Sequence, residues 1–412
     1  MQEKIQFRKN FIWNILGTGL NAFISLFFMI IVTRINGVDQ AGIFTLAFST
    51  ACILYSVGIY AGRIYQVTEL NNKISDKDFI VNRILTSSSM ILFLIVFCIY
   101  KNYNYEKSII FLLLTIYKAL EAFGDVLHGI LQKNERLDMV GKSLFMKSII
   151  GIIVFFMINI FTNSIILSIS LMIVSNICVM IFYDFRKVYK YVNFKININI
   201  KNVLGILKNG FFIFAISFLG MYVLNAPKYS IDSYLTENMQ TIFGIIIMPA
   251  TIIGLVSQFL IHPYINQIVE LFKKRDLKHL NKLMLKIIFM VVIFGILSSI
   301  LAYLFGTQIL SAIYGVNLSD YKIGLVIIII SATLYTIGTI YSSILTTVRE
   351  TFSQFIIYCM VSVFAYVLSS ILTKNIGVNG AICAYFLIMF LQCISYLIYT
   401  KIKLKKIFKN KE

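Results

Sequence analysis

Long apolar runs joined by short polar stretches divide the 412-residue chain from end to end. A helix needs about 20 apolar residues to cross a hydrocarbon core, and runs of that length fall at 11–33, 40–68, 81–100, 108–131, 140–160, 165–185, 205–226, 239–262, 283–305, 321–345, 353–373 and 377–400. The pattern predicts an all-α integral membrane protein with about twelve transmembrane helices. The boundaries are weakest around 69–81 and 200–206, where Asn and Lys mix with Ile, and an interfacial helix is the alternative there. The first run, Phe11 to Thr33, is too long for a signal-peptide core and long enough to span. Joints this short leave no room for a soluble domain.

Composition agrees: 59% of residues are apolar and 13% charged, too apolar for a soluble chain of this length. The net charge of +19 raises a choice between nucleic acid and a membrane surface. Its distribution decides. With the N-terminus in the cytoplasm, alternate joints and the two ends collect about 29 of the Lys and Arg residues, among them Lys73, Arg83, Lys147, Lys195, Arg349 and the tail "KIKLKKIFKNKE". The opposite joints hold about six: Arg34, Lys101, Lys107, Lys228, Lys322 and Lys374. This positive-inside bias expects both termini in the cytoplasm, and it accounts for the charge without nucleic acid.

The chain also hints at duplication. Run 1 ends in "VTRINGVDQAGIFTLAF" and run 7 in "KYSIDSYLTENMQTIFGII", each with a basic residue near the outer end, a polar turn, a Gln and an Ile-Phe pair. Six runs per copy give both copies the same orientation. The expected domains are therefore 1–200, 201–400 and a basic cytoplasmic tail, 401–412.

"YKALEAFGDVLHGILQ" (117–132) breaks the pattern, because it sets ionisable groups in the middle of an apolar run. Lys118, Glu121, Asp125, His128 and Gln132 are spaced 3, 4, 3 and 4 apart, which places them on a helical stripe roughly 80° wide. Leu112, Leu120, Phe123, Leu127 and Ile130 lie opposite. One charge near a bilayer centre costs about 2.5–3.5 kcal/mol on insertion scales, so the stripe faces the protein interior or a hydrated chamber. Two readings stand: salt bridges that only join helices, or a functional polar surface. Arg63, in "YSVGIYAGRIYQVTE", poses the same choice between snorkelling to lipid phosphates and holding an anion. Gly58 and Gly62 nearby make a small-residue surface for close helix approach. Arg34 and Lys228 are interface anchors or outer-mouth cations, and Pro249 interrupts run 8.

Several chemistries find no support. His128, His262 and His279 lie in separate segments without ligand partners at metal spacing. No phosphate-binding glycine loop occurs, and no G-x-S-x-G. The six cysteines all lie in apolar runs without a C-x-x-C pair and read as packing residues. A membrane glycosyltransferase or polymerase needs a substantial outer loop, and the outer joints here are short. The chain is expected to move a molecule rather than react with it, with no cofactor.

"VTRINGVDQAGIFTLAFS" (32–49), "GRIYQVTE" (62–69), "YKALEAFGDVLHGILQKNERLDMVGKS" (117–143), "NAPKYSIDSYL" (225–235) and "YGVNLSDY" (314–321), in this order, carry a resemblance. The chain resembles the bacterial polysaccharide flippases, which translocate undecaprenyl-pyrophosphate-linked O-antigen and capsule repeat units. They form part of the multidrug/oligosaccharidyl-lipid/polysaccharide exporter superfamily. The resemblance implies a MATE-like fold of two six-helix bundles around a central cavity in the cytoplasmic membrane, working by alternating access. It implies a lipid-linked oligosaccharide as cargo, membrane lipids as surroundings and a polysaccharide polymerase complex as a partner. On that reading Arg63 and Lys118 contact pyrophosphate, and Arg34 and Lys228 continue a path to the outer mouth. Glu121 and Asp125, with His128 on the same stripe, hold Lys118 or couple transport to protons, sodium or the membrane potential. Run 1 lacks the acidic residue on which the related drug exporters often depend. The alternatives are a cation-coupled drug or small-solute exporter of the same fold, and a scaffold within a polysaccharide assembly complex.

Overall fold

The structure, a computed structural model, describes residues 2–60, 62–69, 74–192 and 198–409. Lys73 and Lys195, counted above with the cytoplasmic cations, lie outside the described residues, as does the His262 side chain. The described chain is helical throughout and forms two compact units, Met1–Met221 and Tyr222–Glu412. The division falls within one helix rather than at residue 200.

The first unit holds α1 (Gln2–Ile35), α2 (Val38–Ile59), α3 (Gly62–Thr68), α4 (Asp76–Tyr100), α5 (Tyr105–Lys133), α6 (Leu137–Thr162), α7 (Ile165–Val179) and α8 (Arg186–Val188). A π-helical turn, Met180–Phe185, joins α7 to α8. α9 (Ile200–Tyr234) begins in this unit and ends in the second. The second unit continues with α10 (Glu237–Ile261), α11 (Ile265–Lys273), α12 (Leu277–Leu301), α13 (Thr307–Tyr314), α14 (Lys322–Thr347) and α15 (Thr351–Lys409).

Ten of the described segments are long and apolar enough to cross a membrane. One of them, Thr351–Phe408, is two helices meeting at Gly377, whose φ of 65° and ψ of −140° break the α path. α5 has spanning length too, but carries the ionisable stripe. Counted in this way, each of the twelve apolar runs contains a helical segment long enough to cross. Many Ile, Leu, Val and Phe side chains of α4, α6, α7, α12 and α15 are exposed, including Phe93, Ile153, Val174, Phe289 and Val363. Contiguous apolar surface on this scale suits lipid.

α5 is the axis of the first unit. No residue from Lys107 to Lys133 is exposed, because α2, α3, α4 and α7 all pack against it. Its composition changes along its length. Ile110, Phe111 and Leu114 are fully buried near its start, where Phe28, Phe44 and Phe155 cluster in tilted and edge-on contacts and Tyr117 meets Phe28 edge-on. Val126, Leu127, Ile130 and Leu131 join an aliphatic cluster with Phe79, Val140 and Met180 near its end. The polar stripe begins between these apolar stretches, and its His128 and Gln132 run alongside the second. Leu120, expected on the face opposite the stripe, instead borders the cavity described below.

α1 and α6 run close together along their length. Gly17 and Gly141 permit this: a Cβ on Gly17 would strike the Gly141 carbonyl, and one on Gly141 the Trp13 carbonyl. Gly58 does the same for α2, since a Cβ there would lie 2.9 Å from Ala122 Cβ and 3.1 Å from Met90 Sδ. Gly62 does not share that role. It faces open space, and its φ of 69° turns the chain into α3.

In the second unit α14 packs against α10, α12 and α15. Its interior is rich in hydroxyls and amides: Gln392 Nε2 donates to Tyr358 Oη at 3.2 Å, and Ser342 Oγ to Gln354 Oε1 at 2.8 Å. Pro249 lies inside α10 and Pro227 inside α9.

Candidate functional site

The run predicted as one span, 40–68, is broken. α2 stops at Ile59, Tyr60 takes a positive φ of 49°, and α3 starts afresh at Gly62. Arg63 therefore rides on a short separate helix rather than near the end of a long one. Gln66, one turn further on, fixes α3 to α5. It is fully buried, donates through Nε2 to the Val126 carbonyl at 3.2 Å, and lies over Gly129, where any Cβ would collide with its amide.

This docking brings Arg63 to the stripe, with its Nε 3.8 Å from Asp125 Oδ1. A second guanidinium shares that carboxylate, since Arg83 Nη2 lies 3.4 Å from Asp125 Oδ2. Arg83 was expected in a cytoplasmic joint. It lies two turns into α4, buried, because its Nη1 also donates to the Gly58 carbonyl at 2.9 Å. Thr86 Oγ1 donates to the same carbonyl at 2.7 Å. The end of α2 leaves carbonyls without helical partners, and Arg83 meets one of them while holding Asp125.

Lys147 requires the same correction. It was counted in a joint but lies within α6, where its Nζ donates to Asp184 Oδ2 at 2.5 Å. Asp184 is completely buried in the π-helical turn after α7. Its other oxygen, Oδ1, has no hydrogen-bond partner and lies 3.9 Å from His128 Nε2, which is 3.1 Å from Ser143 Oγ. Single π turns are frequent where function bends a helix.

Lys118 is buried. Its Nζ donates to Glu121 Oε2 at 2.7 Å, and Asn21 Nδ2 donates to Glu121 Oε1 at 3.3 Å. Glu121 thus holds Lys118, whereas Asp125 serves the two arginines.

A cavity of about 170 Å³ opens among these groups, with room for several waters. Asn21, Tyr55, Arg63, Glu121, Asp125, His128 and Lys147 supply its polar wall. Lys118 does not line it. The network holds four cations, Arg63, Arg83, Lys118 and Lys147, against three carboxylates, Glu121, Asp125 and Asp184. With His128 neutral, one positive charge is left over.

Of the residues singled out from sequence, Arg63, Lys118, Glu121, Asp125 and His128 come together here. Arg34 is exposed in the last turn of α1, and Lys228 is buried in the second unit. Neither lines the cavity. Arg83, Lys147, Asp184 and Gln66 were missed. For Arg83, Lys147 and Asp184 the available signal was an ionisable residue near the end of a long apolar run, which reads equally well as an interface anchor; the neutral amide of Gln66 gave no such signal.

No protein-family model matches the chain. It is 25% identical over 326 residues to the capsular polysaccharide biosynthesis protein CapF of Staphylococcus aureus, covering 78% of this chain and 80% of that protein. Among solved structures, an inward-facing multidrug resistance MATE family transporter of the MOP superfamily superposes with a TM-score of 0.71 at 13% identity, covering 97% of this chain and 99% of that one. A MOP superfamily transporter from Pyrococcus furiosus, described as having a binding pocket of reverse polarity, gives a TM-score of 0.60 at 12% identity over 98% and 96% of the two chains. The chain therefore has the multi-pass membrane fold of the MATE transporters, and its sequence resembles a capsular polysaccharide protein.

Proposed function

We propose that this chain is a flippase. It carries undecaprenyl-pyrophosphate-linked oligosaccharide repeat units across the cytoplasmic membrane by alternating access, with both termini in the cytoplasm, for assembly of a surface polysaccharide. The observation that carries the reading is the polar cavity and the loosely held Arg63 on its wall. Arg63 has the longest ion pair of the four cations, 3.8 Å, and the most exposed side chain, at 32%. A guanidinium so loosely engaged can exchange Asp125 for phosphate oxygens, which its fork matches. A volume of about 170 Å³ suits a headgroup and not a sugar chain, so the sugars lie outside it. The isoprenoid tail needs no polar site and stays in lipid. The resemblance to a capsular polysaccharide protein supports the same cargo class.

A second reading, export of a drug or small solute, draws on the multidrug transporters that share the fold. The test is reconstitution into vesicles with a fluorescent lipid-linked oligosaccharide, scoring the leaflet it occupies with and without proton or sodium gradients. Movement of the labelled lipid supports the flippase, and the gradient arm identifies its drive. Vesicles that leave the lipid in place but clear an organic cation would replace it with the exporter.

A further inference from the structure

Lys118 is surrounded by more than its ion pair requires. Its ammonium lies 5.1 Å from the ring centroid of Phe48, 5.7 Å from Tyr55 and 5.5 Å from Tyr117, with the Glu121 carboxylate at 2.7 Å. A buried salt bridge needs a carboxylate and a few hydrogen bonds. Three ring faces within about 6 Å of one nitrogen are what an aromatic cage presents to an amine ligand. The rings come from two helices, Phe48 and Tyr55 from α2 and Tyr117 from α5. α2 and α5 approach closely because Gly58 admits Ala122.

The cage has an open side. Tyr55, Tyr117 and Glu121 line the cavity, whereas Phe48 and Lys118 do not. A cation entering the cavity would therefore meet two cage rings and the carboxylate, with the fourth wall and the lysine behind them.

We propose that Phe48, Tyr55, Tyr117 and Glu121 form a binding site for a small organic ammonium, and that Lys118 fills this site as a tethered ligand. Attachment to the chain gives the lysine a high effective concentration, so a soluble amine cannot displace it. Lys118 then determines specificity: it closes to organic cations a cavity whose rings and carboxylates would otherwise receive them. The inference concerns which cations the cavity admits and does not depend on the identity of the cargo.

Thermal unfolding of the purified full-length protein tests it without any transport assay. Lys118→Ala removes the chain atoms that n-propylammonium replaces. Millimolar n-propylammonium is expected to raise the midpoint of Lys118→Ala by several degrees and to leave the unaltered protein unmoved. Neutral n-butanol is expected to do nothing specific, and Lys118→Ala/Tyr55→Leu to lose most of the response. No amine response in Lys118→Ala, or an equal response to the alcohol, overturns the proposal. Should Lys118→Ala fail to fold because Glu121 is left unpaired, Lys118→Ala/Glu121→Gln removes that charge and keeps the rings. It is expected to show a weaker rise with n-propylammonium, and its indifference to the amine would overturn the proposal equally.

Discussion

Arg83 and Asp125 stand 42 residues apart in the chain and 3.4 Å apart in space, and the arginine also caps the last turn of α2 through the Gly58 carbonyl. One guanidinium therefore ties three helices, α2, α4 and α5, beside the cavity. Removing one partner of a buried pair strands the other, at about 3–5 kcal/mol. Arg83→Leu is expected to destabilise by about 3 kcal/mol, read as a lowered unfolding midpoint in detergent. Arg83→Leu/Asp125→Asn is expected to recover much of that loss, and a double variant no better than the single would show that the pair is not what holds the helices.

Arg63 is expected to behave differently. Its longer and more exposed contact with Asp125 contributes less than about 1 kcal/mol, so Arg63→Gln unfolds with the native midpoint. If it grips the headgroup, the same change lowers the rate of lipid-linked oligosaccharide movement about tenfold. Normal movement by a well-folded Arg63→Gln would take Arg63 out of the cargo path.

Lys147 and Asp184 form a closer pair than either arginine makes. Asp184→Asn leaves Lys147 facing an amide and is expected to cost about 3 kcal/mol. Lys147→Met/Asp184→Leu restores stability close to the native value, since apolar residues of similar size replace buried ion pairs with little loss. The transport rate of that folded double variant separates a joint between helices from a working part of the cavity wall.

The contact of α1 with α6 gives a test that involves no charge. Gly141→Ala forces a methyl into the Trp13 carbonyl and is expected to destabilise by about 1–3 kcal/mol. Gly205→Ala in α9 meets nothing within 4 Å and is expected to stabilise by a few tenths of a kcal/mol to about 1 kcal/mol. Parallel melting curves of the two variants provide the comparison.

Glu350, in the joint before α15, accepts a hydrogen bond from Lys403, and this bond holds its carboxyl below the ordinary carboxylate range. A carboxyl with a depressed folded pKa stabilises above its unfolded pKa, near 4.3 for Glu, and loses that contribution as pH falls through the folded value. The tie is intact at neutral pH. Hydrogen exchange of the last turns of α15 is expected to accelerate only on strong acidification, and Glu350→Gln to show the faster exchange already at pH 7.

The spanning helices were legible because each needs an unbroken apolar run, and the α5 stripe because its 3- and 4-residue spacing has no use on a lipid face. The partners of that stripe were not legible. Arg83, Lys147 and Asp184 each stand near one end of an apolar run, where a charge normally marks the interface. Only contacts 37 and 42 residues distant show that they turn inward. The break between α2 and α3 was hidden for another reason: hydropathy continues unchanged through Tyr60, and a positive φ at a tyrosine leaves no trace in composition. Gly62 was the one hint, and it read equally well as a packing surface.

Because α5 carries Lys118, Glu121, Asp125 and His128 within its apolar length, it enters lipid at a cost until the groups that pair with them have been made. α1, α3 and α4 are made before it and already offer Asn21, Arg63 and Arg83 to its carboxylates. His128 must wait for α6 and the turn after α7 to supply Ser143 and Asp184. Until the turn after α7 is made, the chain thus holds a half-satisfied helix that burdens the insertion machinery, and the sixth span is the point in synthesis at which the first bundle can close.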